Sequence, residues 1–399
     1  MIDREVLDRA WPGAPASRRP RSTLGRVEPF VIEVDEAVLV DLRARIRNTR
    51  WPDPAPGEPW SQGTDLAYLR DLLAYWADGF DWRARERELN AYPQFRVPLD
   101  GVLVHCVHAR ARSGRGIPLV LTSGWPSTFA ELLPLVPLLT DPAAHGIDGP
   151  AFDLVLPSLP GYGFSSRPPH PVTYRYVAGL WHRLMRSLGY DRYAAGGSDF
   201  GAGVATYMAL DDPAPMLGLH LSTLEISPYT GPGSRPLSAA ERAYLEVNEA
   251  WWRHEGAYKE IQATKPQTLG YGLTDSPAGL AAWILEKWRS WSDPRSAVPR
   301  DSLLSIVTLY WVTGTITSSM RDYYDNRWYD EPPGPDDFVG VPTGIASFTN
   351  ELADEGTPPR EWAERLYDVR RWTPMPHGGH FAAAEAPDLL ARDIAAFFA

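Results

Sequence analysis

Ala194-Ala195-Gly196-Gly197-Ser198-Asp199-Phe200-Gly201-Ala202 has the composition of a strand that turns sharply into a helix. Such a turn needs small residues two before and two after its centre, because any Cβ there would strike the neighbouring backbone. Gly197 and Gly201 flank Asp199 at that spacing. Ser198 is the rival centre, but that register puts Phe200 where the second glycine must stand. The serine reading fails on sterics, and the stretch reads as a nucleophile elbow presenting a carboxylate where serine is the usual group.

Outward from the elbow, the runs Ile117 to Thr122, Phe152 to Pro157 and Arg192 to Ala195 are short and apolar, as buried parallel strands require. Helical spacing lies between them at Tyr176 to Leu188 and Gly203 to Leu210. This alternation predicts an α/β fold with a mostly parallel central sheet, whose catalytic groups gather at the carboxyl ends of strands. Residues 226–336 break it with tryptophan-bearing helical stretches, Glu241 to Glu255 and Leu280 to Trp291, and are expected to form an inserted helical cap. Strand character returns at Val339 to Phe348, and a last helix is expected from Pro387 to Phe398. The core is thus assigned to 111–225 and 337–399.

Ahead of the core, residues 28–110 carry helical spacing at Glu36 to Arg47 and Asp65 to Ala77, around the proline-rich turn Trp51 to Trp60. They read as an accessory segment. Residues 1–27, rich in Arg, Pro, Ala and Ser without a period, read as an amino-terminal arm. No internal repeat is present.

The 399 residues carry 39 Lys plus Arg against 50 Asp plus Glu, a net charge of -11, with no long basic run to follow a phosphate backbone. Nucleic acid is therefore not expected as a partner. The single cysteine, Cys106, sits in the alternating run Val102 to Val107, where a small buried hydrophobe is expected and no disulfide within the chain can form. Met1 to Val6 lack the basic and apolar regions of a secretory signal, and no apolar stretch approaches the ~20 residues of a membrane span. The expectation is a cytoplasmic protein without a membrane partner.

An aspartate nucleophile attacking an sp3 carbon leaves an alkyl ester, which water must then cleave with the help of a base. His380, in Met375 to Ala382, follows the last strand signal and precedes the last helix, where such a base is expected. His377 competes. Read as metal ligands, the two histidines lack a carboxylate cluster, so neither metal nor cofactor is expected. Glu351, just after Ala346-Ser347-Phe348, is chosen to orient the imidazole, with Asp354 and Glu355 as alternatives. Backbone amides of Trp125, in the turn after the first core strand, and of Phe200, in the elbow, can hold the oxyanion of ester hydrolysis. Opening an epoxide also needs an acid for the alkoxide, which phenols supply because they stay protonated at neutral pH. Spacing does not choose among Tyr244, Tyr258, Tyr310, Tyr323 and Tyr324.

With these residues in view, the chain from about Glu28 onward resembles the microsomal-type epoxide hydrolases of the α/β-hydrolase fold. Arg50-Trp51-Pro52 and Trp60-Ser61-Gln62-Gly63 look like that family's accessory segment, and Pro157 to Ser165 is similar to a signature loop. The resemblance implies that Asp199 attacks the epoxide, that His380 of Gly378-Gly379-His380-Phe381-Ala382-Ala383 is the base, and that Glu351 is the acid. It also picks out Tyr258, before Lys259 to Gln262, and Tyr323, after Ser318 to Arg321. The implied partners are a small-molecule epoxide and water, and the resemblance leaves room for a homodimer. Two positions depart from the pattern: Ser123 begins the turn where the family has histidine, and Phe200 replaces a tryptophan.

The activity expected is hydrolysis of an apolar or aromatic epoxide to a vicinal diol through an ester on Asp199. Haloalkane dehalogenation shares the nucleophile and histidine, but Phe200 lacks the indole donor that holds a leaving halide. An intramolecular opening to a cyclic ether, and a non-catalytic hydrophobic-ligand carrier, are the other readings.

Overall fold

The computed structural model describes residues 26–296, 298–348 and 356–399. Its centre is a nine-stranded sheet: β1 (Glu28–Phe30), β2 (Gln94–Leu99), β3 (Val102–Ala109), β4 (Ile117–Thr122), β5 (Phe152–Pro157), β6 (Tyr193–Gly197), β7 (Met216–Leu221), β8 (Val339–Phe348) and β9 (Tyr367–Met375), in the order β1-β2-β3-β5-β4-β6-β7-β8-β9. From β1 to β5 neighbours run antiparallel, and from β5 to β9 they run parallel. Strands β4, β5 and β6 are nearly continuous runs of buried residues because helices cover both faces. The mostly parallel α/β sheet expected from the alternation is the one observed.

The expected boundary at residue 110 cuts across this sheet, since β2 and β3 belong to the segment set aside as accessory yet pair with the core. What remains distinct in that segment is its helices, Glu36–Arg47, Leu66–Asp78 and Trp82–Asn90, each begun by an aspartate whose carboxylate accepts from a first-turn amide. They lean on the helices inserted between β7 and β8. Trp76 Nε1 donates to Thr308 Oγ1 at 2.9 Å, Tyr75 donates to Asp301 at 2.8 Å, and Arg45 pairs with Asp275 at 2.6 Å.

The insert comprises Ala239–Glu255, Ala257–Thr264, Pro266–Asp275, Pro277–Trp291, Arg300–Thr313 and Ile316–Tyr329 among the described residues. Its first helix opens with a reciprocal cap between Ser238 and Glu241. Glu241 also receives Arg365 at 2.6 Å, which ties the cap to the chain leading into β9. Among the described residues no single helix is long and apolar enough to cross a membrane; only the pair Arg300–Thr313 and Ile316–Tyr329 passes jointly, and it is bent by 89°.

At the elbow, β6 runs into the helix Phe200–Asp211 with almost no clearance to β4. A Cβ on Gly201 would stand 1.9 Å from the carbonyl oxygen of Thr122, and one on Gly197 would stand 2.2 Å from it. Backbone on both sides leaves nothing flexible to give way. Gly201→Ala should therefore destabilise the protein by about 1–3 kcal/mol, read as a lower urea midpoint. An unchanged midpoint would show that the turn has slack.

Candidate active site

The elbow holds Asp199 at φ 51°, ψ -131°, a conformation that L residues seldom adopt. Strain of this kind costs on the order of 1–3 kcal/mol and persists only when the surroundings fix it. Three hydrogen bonds do so. The amide of Asp199 donates to Thr223 Oγ1 at 2.7 Å, and its Oδ1 accepts from the amides of Trp125 at 2.9 Å and Phe200 at 2.7 Å. Gly124 permits this closure, because a Cβ there would lie 2.0 Å from Oδ1. The two amides named from the sequence thus converge on one oxygen, leaving Oδ2 turned toward His380.

His380 follows β9 and is buried. Its Nε2 stands 3.6 Å from Asp199 Oδ2, adjacent but beyond hydrogen-bond length. Its amide donates to the Trp291 carbonyl at 3.0 Å, and the Trp291 ring lies edge-on to the imidazole at 5.0 Å. Just upstream, the Gly378 amide donates to Asp293 at 2.9 Å, so the loop is clasped to the end of the cap helix Pro277–Trp291. His377 is exposed and does not line the cleft. Glu351, Asp354 and Glu355 lie outside the described residues; Phe348, which ends β8, is level with Met375 at the end of β9.

Opposite the elbow stands an aromatic wall. The Trp125 ring stacks on Tyr258 at 5.7 Å and 10°, and Tyr323 meets Trp125 edge-on at 5.7 Å, Tyr258 at 5.9 Å and Phe200 at 4.8 Å. Both tyrosines line the same cleft as Asp199 and His380. Tyr244 lines it too, whereas the buried Tyr310 donates its hydroxyl to the Ser127 carbonyl at 2.7 Å and Tyr324 packs against Trp328. The five candidate phenols that spacing left equal therefore differ in where they face.

The chain matches two family models, "Epoxide hydrolase N terminus" over residues 27–132 and "alpha/beta hydrolase fold" over residues 117–311. It is 42% identical to a putative epoxide hydrolase of Stigmatella aurantiaca, covering 92% of this chain and 84% of that one. It is 35% identical to epoxide hydrolase 1 of Sus scrofa, covering 98% and 92%. The chain belongs to the epoxide hydrolases. Its fold superposes on the juvenile hormone epoxide hydrolase of Bombyx mori with a TM-score of 0.84, at 30% identity and 94% coverage of each chain. The Aspergillus niger epoxide hydrolase gives a TM-score of 0.80, at 29% identity over 95% of this chain and 97% of that one.

Sequence reasoning missed several groups in this epoxide hydrolase site. Thr223 anchors the nucleophile's own amide, Trp252 and Trp291 wall the cleft, and Glu225 enters it from the loop after β7. The signal that could have found Thr223 and Glu225 is β7 itself. That strand pairs in parallel with β6, Gly197 against Leu221, so residues just past Leu221 emerge beside the elbow.

Burial, and next the charge of Glu225, push the Asp199 carboxyl up to about 6, against the pull of His380 and the two amides. Burial lowers His380, with Asp199 and Glu385 opposing. Burial, then Tyr258, hold the Tyr323 phenol well above its ordinary range. A nucleophile must be ionised and a base neutral, so acid removes the first, while alkali reaches the phenol late. We expect kcat/KM to be full above pH 7, to fall as pH drops through about 6, and to show no alkaline limb up to pH 9. Full activity at pH 4.5 would contradict this assignment of ionisation states.

Proposed function

We propose that the enzyme opens an apolar or aromatic epoxide to a vicinal diol, with Asp199, His380, Tyr258 and Tyr323 as the reacting groups and Glu351 orienting the imidazole. The observation that carries this reading is the convergence of the Trp125 and Phe200 amides on one oxygen of Asp199, under two phenols and beside a buried imidazole. In the first step Oδ2 attacks an epoxide carbon and the carbon–oxygen bond breaks. The alkoxide takes a proton from one phenol, while the other hydrogen-bonds to the same oxygen. Oδ1 becomes the ester carbonyl without leaving its two donors.

In the second step His380 removes a proton from water, whose oxygen attacks Cγ of Asp199. Negative charge gathers on Oδ1, where the amides already point, so no reorganisation accompanies it. The bond between Cγ and Oδ2 then breaks, Oδ2 takes the remaining water proton from the new hydroxyl on Cγ, and the diol leaves with Oδ2. The proton on His380 returns to the tyrosinate, and the carboxylate is restored with one oxygen from water.

This sequence fixes where each oxygen goes. In a single turnover in heavy-oxygen water the diol should be unlabelled, because its new oxygen comes from Asp199; labelled diol in that turnover would mean direct attack by water. Removing both phenols, Tyr258→Phe with Tyr323→Phe, should slow ester formation by roughly 10²- to 10⁴-fold, measured by rapid quench with styrene oxide. Halide release from a chlorinated alkane at a comparable rate would instead favour dehalogenation. A cytoplasmic location stays part of the proposal; activity that sediments with membranes after cell fractionation would overturn it.

A further inference from the structure

The cleft contains a carboxyl group that the ester chemistry does not use. Glu225 lines the catalytic cleft with Asp199, Tyr258 and Tyr323, and it also lines a second cavity with Tyr174, Tyr207 and Pro332. Phe200, Tyr323 and Lys259 border both spaces, so Glu225 stands where the two meet. Its Oε1 accepts from the Tyr174 hydroxyl at 2.7 Å, which fixes the head of the side chain.

The charges around this junction are mostly engaged elsewhere. Lys259 rests its ammonium over the Trp252 ring at 4.4 Å, Arg327 pairs with Glu260 at 2.6 Å, and Asp330 faces Arg175 at 3.9 Å. Among the described residues Glu225 has the Tyr174 hydroxyl and no Lys or Arg as its hydrogen-bonding partner. A carboxylate offers more acceptor sites than one phenol fills, so the partly buried Glu225 keeps acceptor capacity toward the cleft. It also works against the nucleophile, since its charge opposes ionisation of Asp199. For hydrocarbon epoxides alone, Leu or Met here would serve better.

We propose that Glu225 is a specificity residue, accepting a hydrogen bond from a hydroxyl or ammonium group on the substrate and repelling substrates that carry a carboxylate. The favoured class is an aryl or alkyl epoxide whose apolar body lies against Trp252, Tyr258 and Tyr323, with a donor group reaching the junction of the two cavities. This rests on epoxide opening at Asp199.

Three probes test it by their kcat/KM values: styrene oxide, its ring-hydroxymethyl derivative and its ring-carboxylate derivative. The wild-type enzyme should prefer hydroxymethyl over carboxylate by roughly 10- to 100-fold, the range of one hydrogen bond to a charged acceptor. Glu225→Leu should cut that ratio by at least about 10-fold. Glu225→Gln keeps an acceptor for Tyr174 and for the substrate hydroxyl but removes the charge, so it should relieve the penalty on the carboxylate while retaining most of the rate on hydroxymethyl. A ratio unchanged in both variants, or a wild-type preference for the carboxylate, overturns the assignment of Glu225 while leaving epoxide opening intact. No diol from any of the three with the wild-type enzyme removes the parent reading and this one with it.

Discussion

Two peptide N–H groups aimed at a single carboxylate oxygen set the terms for everything else in this molecule. They belong to Trp125, in the turn after β4, and Phe200, which opens the helix after β6, and they meet at Asp199 Oδ1 only because β4 and β6 are parallel neighbours. The approach is so close that no side chain fits at Gly124, Gly197 or Gly201. Backbone donors of this kind are preset by the fold and need not reorganise as charge develops. The constraint also explains why changes in side chain at Ser123 and Phe200 leave the oxygen's surroundings complete, since neither residue contributes its side chain to that cradle.

The sheet then determines which other groups can reach the aspartate. Thr223 and Glu225 arrive because β7 lies beside β6, and His380 arrives through β9, while the tyrosines come from above on cap helices. Cap and core are joined at the site itself. Trp291 ends a cap helix, accepts from the His380 amide and stands against Tyr258 at 5.2 Å. The accessory helices grip the cap from its other side through Trp76 and Tyr75. The amino-terminal segment thus braces the cap at the helix Arg300–Thr313.

Much of this was legible in the sequence, and what escaped has physical reasons. The elbow, β4, β5 and the helix starting at Pro387 show in the sequence, the strands as continuous apolar runs because they are buried nearly throughout and the helix by its apolar spacing. Strand β7 hides because it carries His220, a buried polar residue made tolerable by Asp393 at 2.9 Å, a partner 173 residues away. Strand β9 hides because it is the last of the sheet and leaves Arg370, Arg371 and Trp372 partly in solvent, which erases the alternation. Losing β7 meant losing Glu225, whose place in the cleft depends on a pairing no local pattern reveals. Tyr258 and Tyr323 were singled out by likeness to a family; the folded cap separates them from Tyr310 and Tyr324, while Tyr244 shares their cleft.

The central claim is that Asp199 itself becomes covalently attached to the substrate. Replacing His380 by Ala removes the base for the second step and leaves the first, so the ester should accumulate. After incubation of His380→Ala with styrene oxide, mass spectrometry of the digested protein should find the peptide containing Asp199 heavier by one styrene oxide, with the adduct absent when Asp199→Asn is added. An unmodified Asp199 peptide, or an adduct on another residue while diol still forms, would contradict the account.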